Sequence, residues 1–419
     1  MANQDTFEQL KLKKITLNKV EVSAEHVSGI EIYESITQPG INGFIDIMDY
    51  QALFEKKNVF ANDELEISFS VEGKADLIVK YAIISNEGNK VVPNVSYNVL
   101  RFGFCSKWLV PALTTKMTSF FKDKYIHEII EEVITGCGGK VKYIEPTKQK
   151  LESFITPLWS PYHTIKHLLS FALNENNSGG YLCWTDLKTD EVYVTTLNYL
   201  LKENLGRFDQ FTAYPINPRY HGRIQAMTFE TNYDIVRLIN SGATNTTLVG
   251  FNYDKKKIFT AEKKLEEVKQ KHLSKKFPIP KKVLVEDSKT QTTKNIQFCS
   301  LFPSTKAPIS GKDSDLQDLL DGSLQNFYSL ISTDVFKVNI QVIGTPDRRV
   351  GWLAKLNVPP QNINVEGQEN EIYNQYTGDY LIRDIKHVFS VYEDYKQYIC
   401  LCADGYKIFE RDAVEWKSN

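Results

Sequence analysis

The chain has 419 residues, a formal net charge of −2, 42% apolar and 24% charged residues and six scattered cysteines. That length exceeds one ordinary core and leads to roughly two to four domains, while the near-neutral balance gives no global attraction to nucleic acid or membrane. No apolar run is long enough to span a bilayer, the polar start MANQDTFEQLKLKK is not a signal peptide, and the cysteine spacing argues against a disulfide framework and for folding in a reducing cytosol.

Residues 1–113 read as all-β. ITLNKVEV, GIEIYESIT, NGFIDIMDY, DELEISFSV and SYNVLRFGF alternate or nearly alternate, with Gln38-Pro39-Gly40, Asn42-Gly43, Gly73 and Pro93-Asn94 between them. Short, closely spaced strands without a helix predict a first small antiparallel barrel. Residues 114–212 change character. KDKYIHEIIEEVIT predicts a helix with Tyr125, Ile126, Ile129, Ile130, Val133 and Ile134 in one stripe, stopped by Gly136-Cys137-Gly138-Gly139. After the strand-like VKYIE, a second helix starts with Ser160 as cap and Pro161 at its first position, and Ile165, Leu168, Leu169 and Ala172 face a core. GYLCWTD and DEVYVTTL then read as a hairpin, which completes an α/β module.

Residues 213–254 return to strands, in GRIQAMTFETNYDIVRLIN and TLVGFNYD, and these are expected to join four strands near the C-terminus. Those four are Val335–Ile343, Trp352–Val358, Asp379–Phe389 and Lys396–Ala403, rich in Val, Ile, Tyr and Phe. Two of them exceed the usual strand length, as in a second small barrel. Cys400 and Cys402 share one face of the last strand and are expected to pack as free thiols. Residues 255–330 form a Lys-rich helical insertion, with a charged helix KKKIFTAEKKLEEVKQKHLSKKF and a closing helix whose face is Leu316, Leu319, Leu320, Leu324, Phe327 and Ile331. The expected fold class is thus α+β, mostly β: domains 1–113, 114–212, 213–254 plus 331–410, the insertion 255–330, and a tail 411–419.

Features that carry chemistry elsewhere have plainer readings here. His163 and His167 stand four apart on a helix, a metal-ligand spacing, but Thr164 stands where a zincin needs Glu and no third ligand is evident. GCGG at 136–139 follows a helix and lacks the Lys-Ser/Thr of a phosphate loop. Glu131-Glu132 and Glu266-Glu267 lie on expected solvated helix faces. Residues 255–294 hold 13 Lys against 5 acidic residues and lack the interleaved aromatics of a single-strand binder. They suit solvent or an acidic partner better than nucleic acid. No catalytic, cofactor-binding or metal residue is assigned. The readings that compete with a structural role are a cell-wall glycan hydrolase or metal-dependent enzyme centred on His163 and His167, and a nucleic-acid-binding module in the insertion.

Three passages carry a resemblance. They are GIEIYESITQPGINGFIDIMDYQALFE; KDKYIHEIIEEVIT with FITPLWSPYHTIKHLLSFALNENNSGGYLCWTD; and GDYLIRDIKHVFS with YKQYICLCADGY. In this order they resemble the central baseplate hub proteins of contractile-tailed, T-even-type bacteriophages, related to late-control tail proteins of other phages and to the base of the type six secretion spike. The resemblance covers most of the chain outside 255–330. It implies a homotrimer whose two barrels per subunit alternate around a pseudo-sixfold ring, joining a threefold spike to a sixfold tail tube. It also implies an inert virion protein of the tail baseplate, assembled in the host cytoplasm. Its partners would be the spike trimer, tail tube or tube-initiator proteins and neighbouring baseplate wedge proteins; no cofactor or membrane is expected, and nucleic acid is disfavoured by the charge pattern above.

Overall fold

The computed structural model describes residues 10–50, 59–71, 76–91, 97–203, 209–213, 222–231, 245–252, 257–264, 295–299, 336–358, 376–390 and 395–403, with helix and turn residues between 318 and 334. The first strand, β1 (Leu10–Leu17), turns at once into β2 (Val20–Ser23). ITLNKVEV is therefore a hairpin rather than one strand. Asn18 and Lys19 take φ of 46° and 66°, and Leu17 pairs directly with Val20. This is the two-residue turn whose twist matches paired strands. β3 (Val27–Ser35), β4 (Asn42–Asp49), β5 (Glu64–Val71) and β7 (Asn98–Ser106) follow the expected alternations. Between the last two lies a strand the sequence hides, β6 (Leu77–Val91). Its Asn86-Glu87-Gly88 run reads as a turn, but irregularities at Ile83/Ser85 and Asn86/Asn89 absorb it while pairing with β7 continues.

The α/β segment holds helix α1 (Leu109–Thr114), β8 (Phe120–Tyr125), α2 (Ile126–Gly136), β9 (Lys140–Ile144), β10 (Lys150–Ile155), α3 (Pro161–Leu169), β11 (Tyr181–Thr185), β12 (Glu191–Thr196) and α4 (Leu197–Glu203). The first expected helix starts four residues late. Lys122–Tyr125 is strand, paired with β10, and exposed Tyr125 caps α2, its N–H donating to Glu128 Oε2 at 2.7 Å. Ile126, Ile129, Ile130, Val133 and Ile134 are buried. The GCGG run ends the helix: Gly138 takes φ +85°, and Gly139 N–H donates to the Ile134 carbonyl at 3.0 Å. Ser160 caps α3 by accepting from His163 N–H at 3.2 Å. β12 pairs with β11 antiparallel and with β9 parallel.

The C-terminal portion contains β13 (Asp209–Thr212), β14 (Ile224–Thr231), β15 (Asn245–Asn252), β16 (Lys257–Lys264), β17 (Asn295–Cys299), β18 (Phe336–Ile343), β19 (Leu353–Asn357), β20 (Gly378–Ser390) and β21 (Lys396–Ala403). The four expected C-terminal strands are present. β14 joins them through β18, but β15 does not: it pairs with β16 and β17 in a separate three-stranded sheet. The expected charged helix at 255–277 is thus a strand over Lys257–Lys264, so the insertion is not purely helical. The Lys and Glu there favour helix, but Ile258, Phe259 and Thr260 suit a strand, and cross-strand pairing outweighs weak local propensity. Helical residues occur between 318 and 330, whereas the leucine face expected for that helix lies outside the described residues.

One sheet of 13 strands dominates, in the order β14-β18-β21-β20-β3-β4-β7-β6-β5-β1-β2, with β19 attached to β20 and β13 to β19. A sheet of so many strands curls, as right-handed twist dictates, and the protein is α+β, mostly β. The N-terminal and C-terminal groups of strands meet in this sheet where β3 pairs antiparallel with β20. Three cores result. Ile30, Ile32, Ile67, Phe102 and Phe104 centre the N-terminal half, Phe211, Val338, Ile340 and Leu401 the C-terminal half, and Ile129, Ile130, Leu168 and Val194 the α/β segment. β11 ties them together. Tyr181 and Cys183 enter the α/β core, while Leu182 and Trp184 enter the C-terminal one.

Candidate functional site

The β3–β20 seam is where the three parts meet. Strand alternation sends Ile30, Ile32 and Glu34 of β3, with Ile385, His387 and Phe389 of β20, to the core face. Two of those six are polar, and both are fully enclosed. His387 Nε2 lies 3.0 Å from Glu34 Oε2, and its Nδ1 lies 2.6 Å from the Tyr395 hydroxyl. Gln397 Nε2 donates to Tyr395 at 2.9 Å and to the Thr345 carbonyl at 2.9 Å. Arg348, itself buried, donates through Nη1 to Gln397 Oε1 and through Nε to Asp209 Oδ2, the latter at 2.6 Å. Burial drives the Tyr395 hydroxyl well above its ordinary range. Glu34, His387, Tyr395, Gln397 and Arg348 at its centre are buried, and its physical consequence is a fixed register between the halves.

The β11–β12 turn wedges into the same junction. Leu187 N–H donates to Glu34 Oε1 at 2.7 Å, Asp186 pairs with Arg349 at 2.9 Å, and Lys188 pairs with Asp347 at 3.1 Å. Asp186 also accepts from the Lys188 and Thr189 N–H groups, each at 3.0 Å, which shapes the turn. Thr185 Oγ1 accepts from Trp108 Nε1 at 3.3 Å and donates to the Pro39 carbonyl at 2.7 Å. One short turn therefore touches both halves of the sheet.

The opposite face of the same strands forms an open trough of about 550 Å³, floored by Tyr33, Ser35, Asp384, Lys386, Tyr398 and Cys400. Ser35 donates to Asp384 at 2.5 Å. Lys386 pairs with Glu31 at 3.0 Å and lies 5.4 Å and 6.0 Å from the ring centres of Tyr33 and Tyr398. Burial opposes ionisation of Glu31, yet bonds from Tyr33 and Lys386 hold its carboxyl below the usual range. Arg101 extends the lattice, reaching Asp46 at 3.4 Å, Glu87 at 3.6 Å and Glu31 at 3.9 Å. A half-open face of mutually paired charges suits a protein or solvent boundary better than a small-molecule pocket.

The residues weighed for chemistry lie elsewhere. His163 is exposed on α3, and His167 is half-buried beside it, with ring centres 6.5 Å apart and Trp159 4.8 Å from each. Burial, then the neighbouring His163, lowers the His167 imidazole to about 4. Among the described residues no group of three or more His, Cys, Asp or Glu could hold a metal ion. Glu132 pairs with Lys124; Glu266 and Glu267 lie outside the described residues, as does most of the Lys-rich stretch. Cys400 and Cys402 form no disulfide, as expected, and burial pushes the Cys400 thiol to about 12. Sequence reading gave no role to Glu34, His387, Gln397 or Arg348. The available signal was phase: Glu34 interrupts the series Ile30, Ile32, Ile36, and His387 stands between Ile385 and Phe389. No described helix is long and apolar enough to cross a membrane.

No family model matches the chain, and no curated protein matches it. Solved structures do. The tail protein of Neisseria meningitidis MC58 superposes over 95% of this chain and 97% of its own, with TM-score 0.56 and 12% identity. The 43 kDa tail protein of prophage MuSo2 from Shewanella oneidensis covers 94% and 98%, with TM-score 0.54 and 7% identity. A type VI secretion component of Escherichia coli matches 96% of this chain and 79% of its own at a TM-score of 0.45, too low to argue from. At these identities the likeness is one of fold, and it runs from end to end.

Proposed function

We propose that the chain is a structural tail protein, the central hub of a contractile-tail baseplate. Three copies close into a ring whose six barrel-like halves offer a pseudo-sixfold face to the tail tube and a threefold face to the spike. The observation that carries this reading is the end-to-end fold shared with the Neisseria tail protein, 95% of one chain on 97% of the other. The sheet supports it physically. Each half has its own core, and each brings a hairpin to the seam, β3–β4 from one side and β20–β21 from the other. Three such two-part subunits in a heterologous ring repeat a similar unit six times. The buried, mutually bonded seam fits a part that transmits load between its two halves.

In this reading the ring domains are drawn from the segments 1–113 and 213–254 plus 331–410, with β15 left to the separate sheet it forms with β16 and β17. The module 114–212 and the insertion 255–330 face the baseplate wedge, the partners are the spike trimer and the tube or its initiator, and the place is the virion tail baseplate, assembled in the host cytoplasm. The test is light scattering on the purified chain, alone and with a candidate spike protein. Three times 48.1 kDa, alone or with the spike, is expected. A monomer indifferent to the spike overturns the hub reading.

A further inference from the structure

The turn that locks the junction contains a group that works against it. Asp190 closes the β11–β12 turn, with its N–H donating to the Asp186 carbonyl at 2.9 Å. Its backbone takes φ +53°, in the left-handed region where a side chain costs energy. Its Oδ1 is enclosed and has no hydrogen-bond partner among the described residues, and the same holds for the hydroxyl of Tyr81 on β6, a side chain 2% exposed. Everything else in the turn is well held: Leu187 by Glu34, Asp186 by Arg349 and Lys188 by Asp347. An enclosed carboxylate oxygen without a donor is costly when ionised and much less so when protonated.

We propose that the turn 186–190 is a pH-set latch between the α/β segment and the two halves of the sheet, tight when Asp190 is protonated and loosened when it is ionised. The surroundings bear on the sign. Lys140 on β9 and Lys107 after β7 favour the ionised form, but neither outweighs burial, which raises the Asp190 carboxyl to about 6. Lys107 is engaged with Glu64. Asp186 and Glu191 within the hairpin are held by Arg349 and Lys142 respectively. Tyr81 feels both Asp190 and Glu34, and burial first, then these two carboxylates, drives its hydroxyl well above the ordinary range. Tyr81 therefore stays neutral throughout the working range, and Asp190 is the group that switches. Because its folded value is raised from 3.8 to about 6, the latch is fully closed only below about pH 4 and weakens progressively as pH rises from there through 6.

Amide hydrogen exchange of residues 185–191 in the full chain, corrected for intrinsic rates, tests this. Opening of the wild-type turn is expected to increase on the order of tenfold between pH 5 and pH 7.5. In Asp190→Asn, which keeps the shape and tolerates positive φ, opening at pH 7.5 is expected to stay at or below the wild-type pH 5 level. A wild-type turn whose opening does not change with pH overturns the proposal. So does an Asp190→Asn turn that opens as often as wild type, or more often, at pH 7.5, since that outcome would mean the carboxylate is favourably bonded.

Discussion

Glu34 and His387 sit 353 positions apart in the chain and 3.0 Å apart in space, which makes a double-mutant cycle the direct test of the seam. Glu34→Leu removes a carboxylate that accepts from both His387 and the Leu187 N–H. It leaves two enclosed polar groups unmatched and is expected to cost about 4 kcal/mol. His387→Leu leaves the Glu34 carboxylate enclosed with one remaining donor, and a similar cost, about 4 kcal/mol, is expected. In the double variant the Leu187 N–H still lacks its acceptor and the Tyr395 hydroxyl its imidazole partner, but no carboxylate or imidazole is left enclosed without its mate. Tyr395 keeps Gln397, and the leucines continue the apolar phase set by Ile30, Ile32, Ile385 and Phe389. The double variant is therefore expected to lose about as much as either single one, a coupling of at least roughly 2 kcal/mol. Urea unfolding followed by tryptophan fluorescence supplies all four stabilities. Additivity within about 0.5 kcal/mol, or a single substitution costing under about 1 kcal/mol, would refute the claim that this pair fixes the register.

His167 gives a pH signature opposite in sign to that of Asp190. Its folded value is depressed to about 4, so its contribution is intact above about 6.5 and is lost as pH falls toward 4. Allowing for its partial exposure, the loss is on the order of 2 kcal/mol. His167→Leu should flatten that part of a stability-versus-pH curve measured by thermal melting, and an unchanged slope would contradict the assignment. Lys19→Gly relieves a left-handed lysine in the β1–β2 turn and is expected to stabilise by up to about 1 kcal/mol in a denaturant melt; destabilisation would mean that the positive φ of Lys19 is not a source of strain. Gly43 lies where β3 and β4 approach: an added Cβ would stand 2.2 Å from the Glu31 carbonyl oxygen and 2.5 Å from Phe104 Cζ. Gly43→Ala is therefore expected to cost about 3 kcal/mol or more, and a melt within about 0.5 kcal/mol of wild type would show that the strands yield freely there.

Much of this was local, and local features are what a sequence states directly. The period-two runs of β3, β5, β18, β20 and β21 come from side chains alternating across a pleat. The Ser160–Pro161 start of α3 and the glycine stop of α2 satisfy backbone groups within a few residues of themselves. The same locality explains the misses. The hairpin at Asn18-Lys19 keeps alternation running through its turn, β6 carries a turn-like run that bulges absorb, and Lys257–Lys264 has helix-favouring charges overruled by pairing with β15. Which strand meets which was never local. That β3 pairs with β20, so that two expected barrels share one sheet, is set by contacts some 350 positions apart. The role of Glu34 and His387 follows only from that meeting. Apart, each is a polar break in an apolar series; together, in a space closed to water, each supplies the partner that makes the other's burial tolerable.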